Sequence, residues 1–202
     1  MKALTEKNRK YAIIILAAGR SARLGSPKQL LCYQGKNLLQ HTIDIAHESR
    51  TGPILVVLGS NIDEIKTKLD KNFLKIIENQ DWESGMASSI ICGINALLKL
   101  YPDTEASILM VCDQPFVNVQ LLHQLIKKYE ESGKSIVASN YENTNGTPAL
   151  FHKKHFHELS ALKGDFGAKY MIKKYDESLH AIPFDKGSID IDTIEDYKNL
   201  LK

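Results

Sequence analysis

The segment Gly19-Arg20-Ser21-Ala22-Arg23-Leu24-Gly25-Ser26-Pro27-Lys28 holds two glycines, two arginines, two serines and a lysine, directly after an aliphatic run. Glycine lets a ligand approach the backbone closely, and successive N–H groups can cradle phosphate oxygens. Arg and Lys add charge-assisted bonds to the same oxygens. The glycines lie six apart and Pro27 precedes the lysine, so neither the dinucleotide fingerprint nor the Walker A spacing is met. A phosphate-binding loop is favoured over the plain alternative, a solvated loop whose glycines make turns.

Two acidic segments follow. In Cys112-Asp113-Gln114-Pro115, Asp113 can hold a hard cation such as Mg²⁺, or it can orient the turn before Pro115. In Asp190-Ile191-Asp192-Thr193-Ile194-Glu195-Asp196 the two aspartates alternate with isoleucines, as residues on one face of a strand do. Asp192 can serve a metal or cap the following helix. Asn79, Ser84, Gly85 and Ser88 open another helix, where N–H groups and hydroxyls can meet a base, ribose or phosphate, unless Ser84 merely caps it. Trp82 there can stack on a planar ring or pack. His152, His155 and His157 miss the HExxH spacing of a zinc site and are assigned no metal.

These segments need elements to position them. Ile13–Leu16 and Ile54–Leu58 are continuous aliphatic runs, as expected of strands buried on both faces. Leu74–Ile77, Ser107–Val111 and Ile136–Ala138 are further strands. Helical spacing covers 38–47, 62–69, 86–100 and 119–129, with Pro102 stopping the third and Gly133 closing the fourth. Strand and helix in alternation imply right-handed crossovers and a mainly parallel sheet, whose ligands bind beyond the carboxyl ends of the strands. After Asn140 the cluster Glu142–Gly146 predicts a hairpin arm over 140–151, and helices are expected over 153–159, 167–175 and 193–201.

The 202 residues fit one domain, 1–202, with residues 1–10 expected to be a frayed tail. Lys plus Arg outnumber Asp plus Glu by only 26 to 24, against the clustered excess of a nucleic-acid binder. No apolar stretch nears the ~20 residues that cross a bilayer. Three cysteines without a CxxC imply free thiols and a cytoplasmic location.

Leu16 to Leu31, LAAGRSARLGSPKQLL, resembles the nucleotide-binding signature of the MobA-like nucleoside-triphosphate transferases. Five further features fall in that family's order: NQDWESGMASS from Asn79, CDQP from Cys112, GTPALF from Gly146, GDFGA from Gly164 and DIDTIEDY from Asp190. Together they span nearly the whole chain. The likeness is to the MocA branch, the molybdenum cofactor cytidylyltransferases, because Ala18 stands where the guanylyltransferase branch usually has glycine. A methyl group discriminates by only ~1–3 kcal/mol, so neighbouring backbone must contribute to a choice of CTP over GTP.

The resemblance implies a Rossmann-like three-layer α/β/α nucleotidyltransferase fold with a late β-hairpin insertion. It implies transfer of CMP from CTP to the terminal phosphate of molybdopterin or molybdenum cofactor, and a molybdenum hydroxylase as client. Leu16, Ala17, Ala18, Gly19, Arg20, Ser21, Arg23, Gly25, Lys28, Asn79, Ser84, Gly85 and Ser88 would then bind nucleotide. Arg23, Lys28 and Asp113 would be catalytic. Asp113 and Asp192, with Asp190 as the weaker candidate, would hold Mg²⁺. Gln114, Pro115, Gly146, Thr147, Pro148, Asp165 and Lys169 would meet the acceptor. Two positions depart from many relatives: Lys169 replaces an arginine and so lacks its bidentate fork, and Cys112 replaces a glycine. The alternatives are another phosphorylated acceptor such as a sugar phosphate, and a carrier that binds nucleotide or cofactor without turnover. A dehydrogenase would want GxGxxG, which the first loop lacks.

Overall fold

The computed structural model describes residues 10–202. The tail expected over residues 1–10 therefore lies outside the described residues except for Lys10, whose carbonyl accepts from the Glu105 N–H at 2.8 Å. In chain order the elements are β1 (Tyr11–Leu16), β2 (Cys32–Tyr33), β3 (Lys36–Asn37), α1 (Leu38–Glu48), β4 (Ile54–Leu58), α2 (Ile62–Thr67) and β5 (Leu74–Glu78). They continue with α3 (Met86–Leu100), β6 (Ala106–Val111), α4 (Val119–Ser132), β7 (Ile136–Tyr141), β8 (Thr144–His152) and α5 (Phe156–Leu159). The last are α6 (Ala168–Lys174), β9 (Leu179–Pro183) and α7 (Ile194–Leu200).

Seven strands form one sheet in the order β5-β4-β1-β6-β8-β7-β9. All its neighbours run parallel except the pairs made by β8. Successive side chains of a strand point to opposite faces, and β1 shows it. Ile13 and Ile15 pack with α1 and α4 through Leu39, Ile43, Leu122 and Leu125. Ile14 and Leu16 pack on the other face with α3, α5 and α6 through Ile90, Ile94, Phe156 and Met171. Burial on both faces is why β1 reads as an unbroken apolar run, and it makes the three-layer arrangement expected from sequence.

The late hairpin is present, but it is the middle of the sheet rather than a projecting arm. β8 lies between β6 and β7. Its turn is only Glu142-Asn143, both at positive φ (48° and 59°), and Tyr141 pairs with Thr144. Thr144, Asn145 and Gly146 are thus strand residues. The register slips between Ala138 and Ser139, so that Ala138 faces Ala149 while Ser139 faces Gly146. Thr147 and Pro148 fall in the bulge, where a residue without an N–H is tolerated.

Candidate active site

β1 and β6 are neighbours, with Leu16 beside Val111, so the loops that leave their carboxyl ends lie side by side. Lys28 begins a short 3₁₀ turn, Lys28–Leu30, and its ammonium reaches from the first loop to the second. It donates to Asp113 Oδ2 at 2.7 Å and to Asp192 Oδ1 at 2.7 Å. Asp192 comes from the far end of the chain and is held in place because the Ile191 N–H donates to the Asp113 carbonyl at 3.0 Å. Arg23 Nη2 donates to Asp192 Oδ2 at 2.8 Å. The Lys28 side chain is 14% exposed and Arg23 68%, so the lysine pairs carry most of the local electrostatics and the arginine pair little.

Burial by itself penalises the Lys28 charge, but the Asp113 and Asp192 carboxylates outweigh it and hold the ammonium well above lysine's ordinary pKa. The Lys28 hydrogen bond in turn keeps the Asp192 carboxyl below the usual carboxylate range. Burial pushes Asp190 up to about 6, aided by the facing charges of Asp113 and Asp192 and opposed by Lys169 and Lys28. Burial also pushes the Cys112 thiol up to about 12, so it stands beside the site as a neutral thiol.

Asp192 is not a helix cap. Thr193 caps α7, its Oγ1 accepting from the Asp196 N–H while Asp196 Oδ2 accepts from the Thr193 N–H at 2.8 Å. That reciprocal box leaves the Asp192 carboxylate free for Lys28. Neither Asp190 nor Asp192 lies in a strand, contrary to the alternating pattern. Ser84 does not cap α3 either: Gly85 does, at φ 99°, and a Cβ there would sit 2.5 Å from Asp165 Oδ1.

Two clefts meet at the ridge formed by Leu16, Met86, Val111 and Asp113. The first, about 290 Å³, is lined by Ala17, Ala18, Gly19, Arg20, Lys28 and Gly85 of the expected nucleotide set, together with Trp82, Glu83 and Gln29. The second, about 300 Å³, is lined by Gln114, Thr147, Asp165 and Lys169 of the expected acceptor set, with Asp190 and Tyr141. Gly146 leaves room for Tyr141, whose hydroxyl lies 2.1 Å from where a Cβ would stand.

Other expected residues are placed elsewhere. Asn79, Ser84 and Ser88 line a separate hollow of about 570 Å³ with Cys92 and Leu162. The Asn79 side chain is spent on Ser88 and Ser89, to whose hydroxyls it donates at 2.9 and 3.1 Å. Ser21 supports the loop from within, its Oγ accepting from the Lys28 N–H at 3.0 Å. Gly25 sits at the exposed loop tip at φ 70°. Pro115 and Pro148 turn their carbonyls to His41 and Ser139.

Gln29 is the residue that sequence reasoning missed. Its side chain is buried and donates to the carbonyls of Ala17 at 2.8 Å and Gly19 at 3.0 Å. It therefore shapes the loop that forms the cleft. The only sequence signal was a polar residue between Lys28 and the apolar Leu30-Leu31. Among the described residues no three His, Cys, Asp or Glu side chains form a metal-binding group. His155 is buried against Ser135, with 2.9 Å between its Nε2 and the hydroxyl.

The chain is similar to nicotine blue oxidoreductase of Paenarthrobacter nicotinovorans, 27% identical over 201 residues that cover 93% of this chain and 95% of that protein. It also resembles the crystal structure of the Mycobacterium tuberculosis Rv0371c homologue from Mycobacterium sp. strain JC1, with a TM-score of 0.84, 32% identity and 96% of each chain covered. The structure of Rv0371c of Mycobacterium tuberculosis H37Rv in complex with manganese matches with a TM-score of 0.80 at 27% identity, over 95% of this chain and 98% of that one. Residues 13–179 match the MobA-like NTP transferase domain, so the chain belongs to that family.

Proposed function

We propose that this MobA-type nucleotidyltransferase moves CMP from CTP to the terminal phosphate of molybdopterin or molybdenum cofactor and releases pyrophosphate. The observation that carries the reading is that Lys28, in the first cleft, bonds both Asp192 and Asp113, and Asp113 stands on the ridge between two clefts. One cleft is bounded by backbone and cationic groups suited to a nucleotide, the other by Lys169 and hydrogen-bonding side chains suited to an acceptor. The preference for CTP rests on Ala18, which lines the first cleft, and on the MocA-type resemblance.

In this reaction an oxygen of the acceptor phosphate attacks the α-phosphorus in line. The new P–O bond forms as the bond to the β-phosphate oxygen breaks, and pyrophosphate leaves with that electron pair. An ionised phosphate nucleophile needs no general base, so catalysis reduces to positioning and charge stabilisation. The Ala17–Gly19 backbone, fixed by Gln29, holds the nucleotide against Arg20 and Gly85. Lys28 and Arg23 neutralise the triphosphate. Lys169 receives the acceptor phosphate, with Gln114, Thr147, Asp165 and Tyr141 around it.

The chain also fits the divalent cation of this chemistry. Asp113 Oδ2 and Asp192 Oδ1 both lie 2.7 Å from one ammonium nitrogen, so their oxygens already surround a single cation position. Mg²⁺ takes one or two carboxylates and completes its shell with phosphates and water. Held by Asp113 and Asp192, it would supply charge neutralisation at the reacting phosphates, with Asp190 orienting a bound water. We place the reaction in the cytoplasm, where the free thiols of Cys32, Cys92 and Cys112 would persist. A molybdenum hydroxylase is the proposed client.

The test is pyrophosphate release with Mg²⁺ and each of CTP, GTP, ATP and UTP, with and without molybdenum cofactor. Release that needs both CTP and the cofactor is expected. Dependence on GTP would overturn the base assignment, and release with a sugar phosphate instead would overturn the acceptor. CTP affinity with no release for any acceptor would mark a binding module. Oxidation or reduction of nicotine blue without pyrophosphate release would move the protein toward the activity in its relative's name.

A further inference from the structure

The Lys28 ammonium occupies the very position that the two carboxylates offer to a cation. It lies at 2.7 Å from an oxygen of each, with its side chain 14% exposed. Around it Lys28 and Arg23 pair with Asp113 and Asp192, and Asp190 beside them is opposed by Lys169, so the charges balance. A divalent cation entering this pair must displace the ammonium or lie against it, and like charges that close repel. Lys28 also lines the nucleotide cleft, the space assigned to a triphosphate. Its backbone is pinned by Ser21 while its four-carbon stem can swing. We propose that Lys28 is a built-in occupant of the cation position, which keeps divalent metal off the nucleotide-free protein until nucleotide phosphates draw the ammonium away.

This inference rests on the metal reading above and adds a thermodynamic consequence. Nucleotide and cation binding are coupled through one side chain, and the coupling is reciprocal: whichever ligand arrives first raises the affinity for the other. The empty protein is charge-balanced and ignores stray divalent cations. The phosphates then receive lysine and metal together.

The experiment measures Mn²⁺ binding to nucleotide-free protein by the electron paramagnetic resonance of free Mn²⁺, with thermal melting alongside. Wild type and Lys28→Arg, which keeps a cation in place, should bind weakly and gain no melting temperature from Mn²⁺. Lys28→Gln should bind at least tenfold more tightly and be stabilised by the metal. Asp113→Asn added to Lys28→Gln should abolish that gain. Lys28→Met serves as a second neutral variant should the glutamine fail to fold. Wild type binding as tightly as Lys28→Gln would overturn the occupant role and leave the cation site standing. Absence of binding in every folded neutral variant would overturn both, because the carboxylates would then hold no metal.

Discussion

The two clefts on either side of Leu16 and Asp113 are built on opposite plans. On the nucleotide side the groups that shape the loop are already partnered within the protein, and of the charged side chains at its wall only Arg20 and Glu83 make no side-chain hydrogen bond or ion pair among the described residues. Gln29 holds the Ala17 and Gly19 carbonyls, Ser21 holds the Lys28 N–H, and Lys28 holds two carboxylates. On the acceptor side charged groups stand open. Among the described residues, Asp165, Lys169 and Asp190 make no side-chain hydrogen bond or ion pair, and Lys169 only overhangs the Tyr141 ring at 5.8 Å. On the proposed function, a preformed loop serves what every member of such a family shares, a nucleotide. An unsatisfied cleft waits for a ligand to complete it, and that is where substrate choice resides.

Four measurements bear on this contrast. Asp113→Asn removes the charge shared by both clefts, so turnover should fall about 100- to 1,000-fold while metal-free CTP binding stays near wild type; steady-state kinetics and calorimetry in chelator read the two. A control lies away from both clefts. Burial, with Lys154 adding, lowers His155 to about 4, so the unfolded chain takes up the proton first as pH falls. Its contribution to stability is complete above about pH 6.5 and lost on the way to pH 4, about 3 kcal/mol at most. Urea unfolding should show this fall, and His155→Gln should flatten it without changing either KM.

Lys169→Ala should raise the acceptor KM about 10- to 100-fold, the worth of one charge-assisted hydrogen bond, and leave the CTP KM alone. An equal rise in both constants would erase the distinction between the clefts. Gln29→Leu should do the reverse, raising the CTP KM and costing about 1–2 kcal/mol in urea unfolding, because two loop carbonyls lose their donor.

The buried parallel strands were legible because burial on both faces writes a continuous apolar run, as in Ile13–Leu16 and Ile54–Leu58. The loops that follow them could be read as site segments for the same reason: the sheet brings its carboxyl ends together whatever lies between. What escaped is either too short to write a pattern or non-local. The small hairpin of β2 and β3 has two residues per strand and closes through Gln34 and Gly35, both at positive φ. β9 is an edge strand recruited by β7, and its own pattern does not announce it. Asn79 looked like a ligand group because its neighbours are polar, yet folding turns that polarity inward onto Ser88 and Ser89. Lys28, Asp113 and Asp192 were each legible, but not that the first bonds the other two. That depends on a contact across 164 positions of chain.

Trp82 lines the nucleotide cleft and is the only tryptophan in the sequence. Excitation at the red edge, beyond tyrosine absorption, therefore illuminates a single fluorophore at the cleft wall. A base that stacks there changes that emission directly, with no background from distant indoles. The protein carries its own optical gauge of occupancy, and ligand arrival can be timed in a stopped-flow cell without any label.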